Sequence, residues 1–99
     1  MASTVVVRYT TRPDASDENE RLIRAVFAEL AERRPTGFRY TATRLEDGVS
    51  FVHVATAEDE NPLATSAAFA AFVAGIGGRC TDPPVSAEGT VVGSYVGPA

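Results

Sequence analysis

The chain opens on Thr4-Val-Val-Val-Arg-Tyr-Thr-Thr11, a β-branched and aromatic run of strand length. Arg12-Pro13-Asp14 stops it, because proline cannot donate to a ladder. Asp14, Ser16 and Asp17 offer helix caps, and Glu18 and Glu20 place carboxylates where the first-turn dipole favours them. Leu22, Ile23, Val26, Phe27 and Leu30 then recur with helical spacing and form one apolar stripe. Arg33 and Arg34 close that stripe and Pro35-Thr36-Gly37 forbids continuation, which predicts a helix over about 17–34.

A second strand is predicted from Phe38 to Leu45 and a third from Val49 to Ala57, joined as a hairpin through Glu46-Asp47-Gly48. An acidic connection, Thr56-Ala-Glu-Asp-Glu-Asn-Pro62, leads to a second helix carrying Phe69, Phe72, Val73 and Ile76. Asn61 before Pro62 suits a short first turn, and Thr65 or Ser66 suits the cap of the main helix. Gly77-Gly78 is expected to end the helix in a left-handed conformation. Cys80 to Glu88, with Pro83-Pro84, reads as an extended loop, and Thr90 to Val96 as the last strand. The order strand, helix, strand, strand, helix, strand is the split β-α-β arrangement of ferredoxin-like domains. Right-handed crossovers then imply a four-stranded antiparallel sheet in order 4-1-3-2 with both helices on one face.

Hairpin register decides which side chains share a face, since a one-residue slip exchanges the faces. A two-residue Asp47-Gly48 turn pairs Ala42 with His53 and Thr43 with Val52, and both faces are then mixed. A three-residue loop with Gly48 in the left-handed position pairs Ala42 with Val52 and Tyr40 with Val54. The second register is preferred, because it gives the helices a wholly apolar partner in Phe38, Tyr40, Ala42, Val52 and Val54. It turns Arg39, Thr41, Thr43, Phe51, His53 and Ala55 to the opposite face. Strand 1 sorts Val5, Val7 and Tyr9 inward and Val6, Arg8 and Thr10 outward. A half-apolar outer face points to an interface, most simply with a second copy of the chain.

Composition narrows the function classes. Ninety-nine residues, 44% of them hydrophobic, suit one domain spanning 1–99, because so short a chain has no core to spare for another. The net charge of −4 argues against nucleic acid, whose phosphates demand cations. No apolar run approaches the ~20 residues that span a bilayer. Met1-Ala-Ser shows no basic region followed by an apolar one, so neither a membrane span nor a secretory signal is expected. One cysteine, Cys80, excludes an internal disulfide framework, and one histidine, His53, makes a metal site unexpected. A reducing, cytoplasmic setting fits. All nine basic residues are arginine, which needs no functional explanation.

The strand Val5-Val-Val-Arg-Tyr9, the hairpin, Phe51-Val-His-Val-Ala55 and the helix with Phe69 and Phe72 resemble the dimeric α/β-barrel superfamily, within it the antibiotic biosynthesis monooxygenase-like group. That resemblance covers nearly the whole chain and implies a ferredoxin-like protomer pairing through its sheet. It also implies a pocket between sheet and helices or inside the barrel, and, in some members, oxidation of aromatic substrates without a cofactor. Many monooxygenase-like members carry a glutamate and a tryptophan near the end of strand 3 and a histidine in the second helix. Here tryptophan is absent, Ala55 lies near its place, the second helix has no histidine, and His53 lies close to the acidic position. The haem-degrading branch is the one this pattern fits least.

His53 is the side chain whose ordinary pKa lies near neutrality, and it is the candidate base for taking a proton from a phenol or carbon acid. Arg8 and Arg39, assigned to the same face, are candidates for holding the resulting oxyanion. Against this stands a histidine merely bonded to Thr41 across the strand pair. Thr41 and Phe51 are candidate substrate contacts on that face. Tyr9, Tyr40, Phe69 and Phe72 are candidates in a pocket between sheet and helices, where core packing is the competing reading. Cys80 follows a helix C-terminus, whose dipole disfavours thiolate, so it reads as a small hydrophobe and not a nucleophile. Gly75-Ile-Gly-Gly78 ends a helix instead of opening one and is no dinucleotide loop, and Glu58-Asp59-Glu60 reads as a solvated loop. The expected protein is a homodimer binding a small apolar or aromatic molecule with no cofactor, catalytic or binding only. A cavity of roughly a few hundred Å³ reaching His53 favours catalysis, whereas a barrel filled by Phe51 and threonines favours a structural role.

Overall fold

In the computed structural model, which describes residues 2–98, the N-terminal run forms β1 (Ser3–Thr11). Pro13–Ala15 makes one 3-10 turn and α1 follows over Ser16–Arg33. The hairpin strands are β2 (Phe38–Arg44) and β3 (Ser50–Ala57). A 3-10 turn at Pro62–Thr65 precedes α2 (Ala67–Ala74), α3 (Ile76–Arg79) and β4 (Cys80–Gly89). The strands lie in the order β2-β3-β1-β4, with all three pairings antiparallel. No helix among the described residues is long and apolar enough to cross a membrane.

Local chemistry explains most boundaries. Asn61 Oδ1 accepts from Leu63 N at 2.9 Å and so caps the 3-10 turn, and Ser66 Oγ accepts from Phe69 N at 2.9 Å and caps α2. The start of α1 is different: its N-cap is Ala15, without a side-chain bond. Ser16 instead lies 2.8 Å from Thr11 Oγ1, which ties the helix entry to the end of β1. At the other end Arg34 adopts the left-handed conformation, φ 52°, and its amide donates to Leu30 O at 2.8 Å. Gly77 and Gly78 do not make the expected left-handed stop. They belong to α3, and the chain leaves it directly into extended backbone at Cys80.

Two further expectations are corrected. The last strand is Cys80–Gly89, while Thr90–Pro98 pairs with no strand. Proline is tolerated here because β4 is a sheet edge, and the register slips where the prolines fall: Arg8 pairs with Val85, but Thr10 with Asp82. The hairpin takes the register of the rejected alternative, pairing Ala42 with His53 and Tyr40 with Ala55. Gly48 is left-handed as expected, φ 77°, but the loop has four residues, Glu46–Val49, closed by Leu45 N donating to Ser50 O. Asp47 admits the extra residue, its carboxylate accepting from Val49 N at 3.0 Å and Ser50 N at 2.8 Å. Four residues leave the strands in the same parity as two, so every side chain of β3 changes face.

The helix-facing side of the sheet therefore carries Val5, Val7, Tyr9, Phe38, Tyr40, Ala42, Phe51, His53 and Ala55. Tyr9, Phe51, Ile23, Val26, Leu63 and Phe72 are the buried centre of the core. The open side carries Val6, Val52 and Val54, each half-buried, beside Arg8, Arg39, Thr41 and Thr43.

Candidate functional site

The corrected register redistributes the candidate residues. His53 lies under the helices, 6% exposed, and not on the open face. Arg8 and Arg39 stay on the open face, Arg39 donating to Ser94 Oγ at 3.0 Å, so neither shares a surface with His53. Thr41 is opposite Val54 and points to the same outer side, which removes the expected Thr41–His53 bond. Phe51 is 1% exposed and stacks on Tyr9 in the core. Tyr9, Tyr40, Phe69 and Phe72 do gather with His53 around one cavity of about 250 Å³ between sheet and helices.

Aliphatic and aromatic side chains make up most of the cavity wall: Val5, Val7 and Ala55 from the sheet, Leu63, Phe69, Phe72, Val73 and Ile76 from the helical side, and Pro84 from the bulged edge strand. Its polar groups are Tyr9, His53, Tyr40 and the exposed Asn61. A volume of about 250 Å³ lies near the lower end for small-molecule sites and suits a compact ring system.

The polar floor is a continuous row of hydrogen bonds. Tyr9 Oη is 2.8 Å from His53 Nε2, and Tyr40 Oη is 2.7 Å from His53 Nδ1. Asn19 Nδ2 donates to Tyr9 Oη at 2.9 Å, and Arg79 Nε donates to Asn19 Oδ1 at 2.9 Å. Arg79 also donates to Phe72 O at 2.6 Å, and its guanidinium carbon sits 5.2 Å from the Phe72 ring centroid. Gly75 leaves room for that guanidinium, since a Cβ there would lie 2.9 Å from Nη1.

Burial sets the protonation states. Desolvation pulls His53 down to about 4, so the ring is neutral at pH 7, and it pushes Tyr40 up to about 12 and Tyr9 higher still. Burial thus moves His53 well away from its ordinary, near-neutral value. Both of its nitrogens are engaged by tyrosine hydroxyls, so it meets a ligand only through Tyr40 or after breaking a bond. The Cys80 thiol is also raised by burial, in keeping with its contact to the core.

Sequence reasoning missed Asn19 and Arg79. Asn19 had a readable signal: it sits four residues before Ile23 on the apolar stripe of α1 and is 0% exposed. A polar residue on that stripe demands a buried partner. Arg79 gives no such signal, because its burial follows from how α3 turns back onto α1.

No family model and no curated protein matches the chain. Solved structures do. Rv0793 from Mycobacterium tuberculosis superposes with a TM-score of 0.76 at 21% identity, covering 97% of this chain and 100% of that one. SnoaB, a cofactor-independent oxygenase from Streptomyces nogalater, gives 0.67 at 23% identity over 94% and 95%. A structure described as an antibiotic biosynthesis monooxygenase gives 0.73 at 18% identity over 92% and 99%. A β-α-β-β-α-β protomer with its helices on one side of a four-stranded antiparallel sheet, this chain has the fold of the antibiotic biosynthesis monooxygenase-like proteins.

Proposed function

We propose that the protein binds a small, neutral, largely aromatic molecule between sheet and helices and acts on it as a cofactor-independent oxygenase. One observation carries the reading: an apolar cavity of ring-system size whose floor is the Tyr9–His53–Tyr40 row. The likeness to a cofactor-independent oxygenase supports it at the level of fold. The ligand oxygen lies against Tyr40 Oη, and the apolar wall encloses its rings.

His53 then acts through Tyr40 instead of as the base. An enolisable ring ketone or phenol loses a proton to water, and the Tyr40–His53 pair stabilises the enolate oxygen. The electron-rich ring passes one electron to dioxygen, giving a radical and superoxide that combine as a peroxide. Protonation and loss of water leave a carbonyl, so a ring CH2 and O2 become C=O and H2O.

The protein is further read as a homodimer closed over Val6, Val52 and Val54, an apolar strip that a second copy covers by symmetry. Its solution mass is expected at twice that of the chain, and Val54→Arg is expected to halve it; a monomeric wild type at micromolar concentration overturns the assembly. The oxygenase reading is tested by oxygen uptake with a panel of two- and three-ring phenols and enolisable ketones. Turnover lost in His53→Ala supports it, and turnover unchanged in that variant removes the row from the chemistry. The competing reading, a binding protein without turnover, is favoured by saturable binding with no oxygen uptake.

A further inference from the structure

The row of hydrogen bonds under the cavity has a direction, and its origin is a residue that does not touch the cavity. Arginine carries five N–H donors and no acceptor. Arg79 Nε donates to Asn19 Oδ1, which fixes the amide with its Nδ2 toward Tyr9. Tyr9 Oη thus accepts from Asn19, and its own proton has one acceptor in reach, His53 Nε2 at 2.8 Å. A neutral imidazole with Nε2 accepting carries its proton on Nδ1. Nδ1–H then donates to Tyr40 Oη at 2.7 Å, and the Tyr40 hydroxyl proton is left for the cavity.

The reverse arrangement is costly. With the proton on Nε2, Tyr9 Oη faces two donors and its own proton lies unbonded at a site 4% exposed, whereas Tyr40 is only half-buried and lines the cavity. We propose that the Arg79–Asn19 pair, acting through Tyr9 and His53, makes the cavity floor a hydrogen-bond donor, so that the site selects neutral ring systems bearing an acceptor atom and rejects those that offer only a donor. Asn19 is a positioning residue that determines specificity. The ligand part of this inference rests on the binding reading above; the polarity of the row stands without it.

Asn19→Asp reverses the row. A carboxylate accepts from both Arg79 and Tyr9, so Tyr9 donates to Asp, Nε2–H donates to Tyr9, and Nδ1 accepts from Tyr40, whose lone pair now faces the cavity. The experiment is 15N NMR of the His53 ring in the free wild-type protein. Protonated Nδ1 and unprotonated Nε2 are expected, and protonated Nε2 overturns the proposal whether or not any variant folds. In folded Asn19→Asp the proton moves to Nε2; a ring signature unchanged from wild type overturns the assignment of Asn19.

Quinoline, an acceptor, and indole, a donor of similar size, serve as probes. The wild type is expected to bind quinoline at least tenfold more tightly, and Asn19→Asp to invert the preference. Equal or opposite preference in the wild type overturns the selectivity. Protonated Nδ1 with no binding of either probe overturns the binding reading while upholding the polarity of the row.

Discussion

Tyr9 and Phe51 are direct cross-strand partners of β1 and β3 and stack with ring centroids 5.4 Å apart and planes 9° from parallel. The guanidinium of Arg44 lies 5.7 Å from the Phe51 centroid, so this ring connects the surface charges of α1 to the polar row under the cavity. Phe51→Ala opens a hole at a site 1% exposed and is expected to cost about 3–5 kcal/mol. That is a large share of a typical domain's stability. Urea unfolding measures it; a loss below about 1 kcal/mol shows that the core closes over the hole.

The neutral buried His53 predicts a pH dependence with a definite sign. Its folded-state pKa, about 4, lies below the ordinary 6.5, so the unfolded chain binds the extra proton first. Stability is full above about 6.5 and falls as pH drops toward 4, by on the order of 3 kcal/mol. The carboxylates of Glu20, Glu29 and Asp47, lowered by their hydrogen bonds, lose their contributions only at lower pH. Denaturant midpoints between pH 6.5 and 5 therefore report His53, and a flat profile there contradicts its burial as a neutral ring.

Tyr40→Phe separates binding from folding. It removes the hydroxyl that meets the ligand and leaves one His53 nitrogen without its partner. Affinity for a ring ketone is expected to fall about tenfold, and stability by about 1–3 kcal/mol. Calorimetric titration measures the first quantity and thermal unfolding the second. An affinity equal to wild type places the ligand elsewhere.

Arg34 holds a left-handed conformation at the end of α1 that costs a side-chain-bearing residue about 1 kcal/mol relative to glycine. Arg34 is exposed, so little packing is lost on truncation. Arg34→Gly is expected to stabilise the protein by about 0.5–1 kcal/mol, seen as a rise in Tm. A decrease identifies a contact of the Arg34 side chain that outweighs the backbone strain.

Element order was legible in the sequence because the apolar periods are clean and most breaks carry a Pro or Gly, the passage from α3 into β4 at Cys80 being the exception. What escaped was context. Pro83-Pro84 argues against a strand only for a central one, and nothing local marks Cys80–Gly89 as the sheet edge that tolerates it. Thr90–Val96 has strand composition but no neighbour to pair with. The hairpin register turned on Asp47, whose three hydrogen bonds admit a four-residue loop. That one residue moved His53 from the open face to the helices, separating it from Arg8 and Arg39 and joining it to Tyr9 and Tyr40. The tyrosines and phenylalanines of the cavity were readable from their alternation, whereas the Asn19–Arg79 pair depends on a contact across 60 residues.

The prolines of β4 have a consequence for the protein in a crowded solution. The borders of a β-sheet offer unpaired amide and carbonyl groups on which a strand of another chain can pair. Here β2 and β4 are those borders, and β4 is interrupted by two residues that have no amide proton, beside a slipped register. A strand docking along β4 meets a gap in that border which one docking along β2 does not. The irregularity that shapes one wall of the cavity also blunts this border of the sheet.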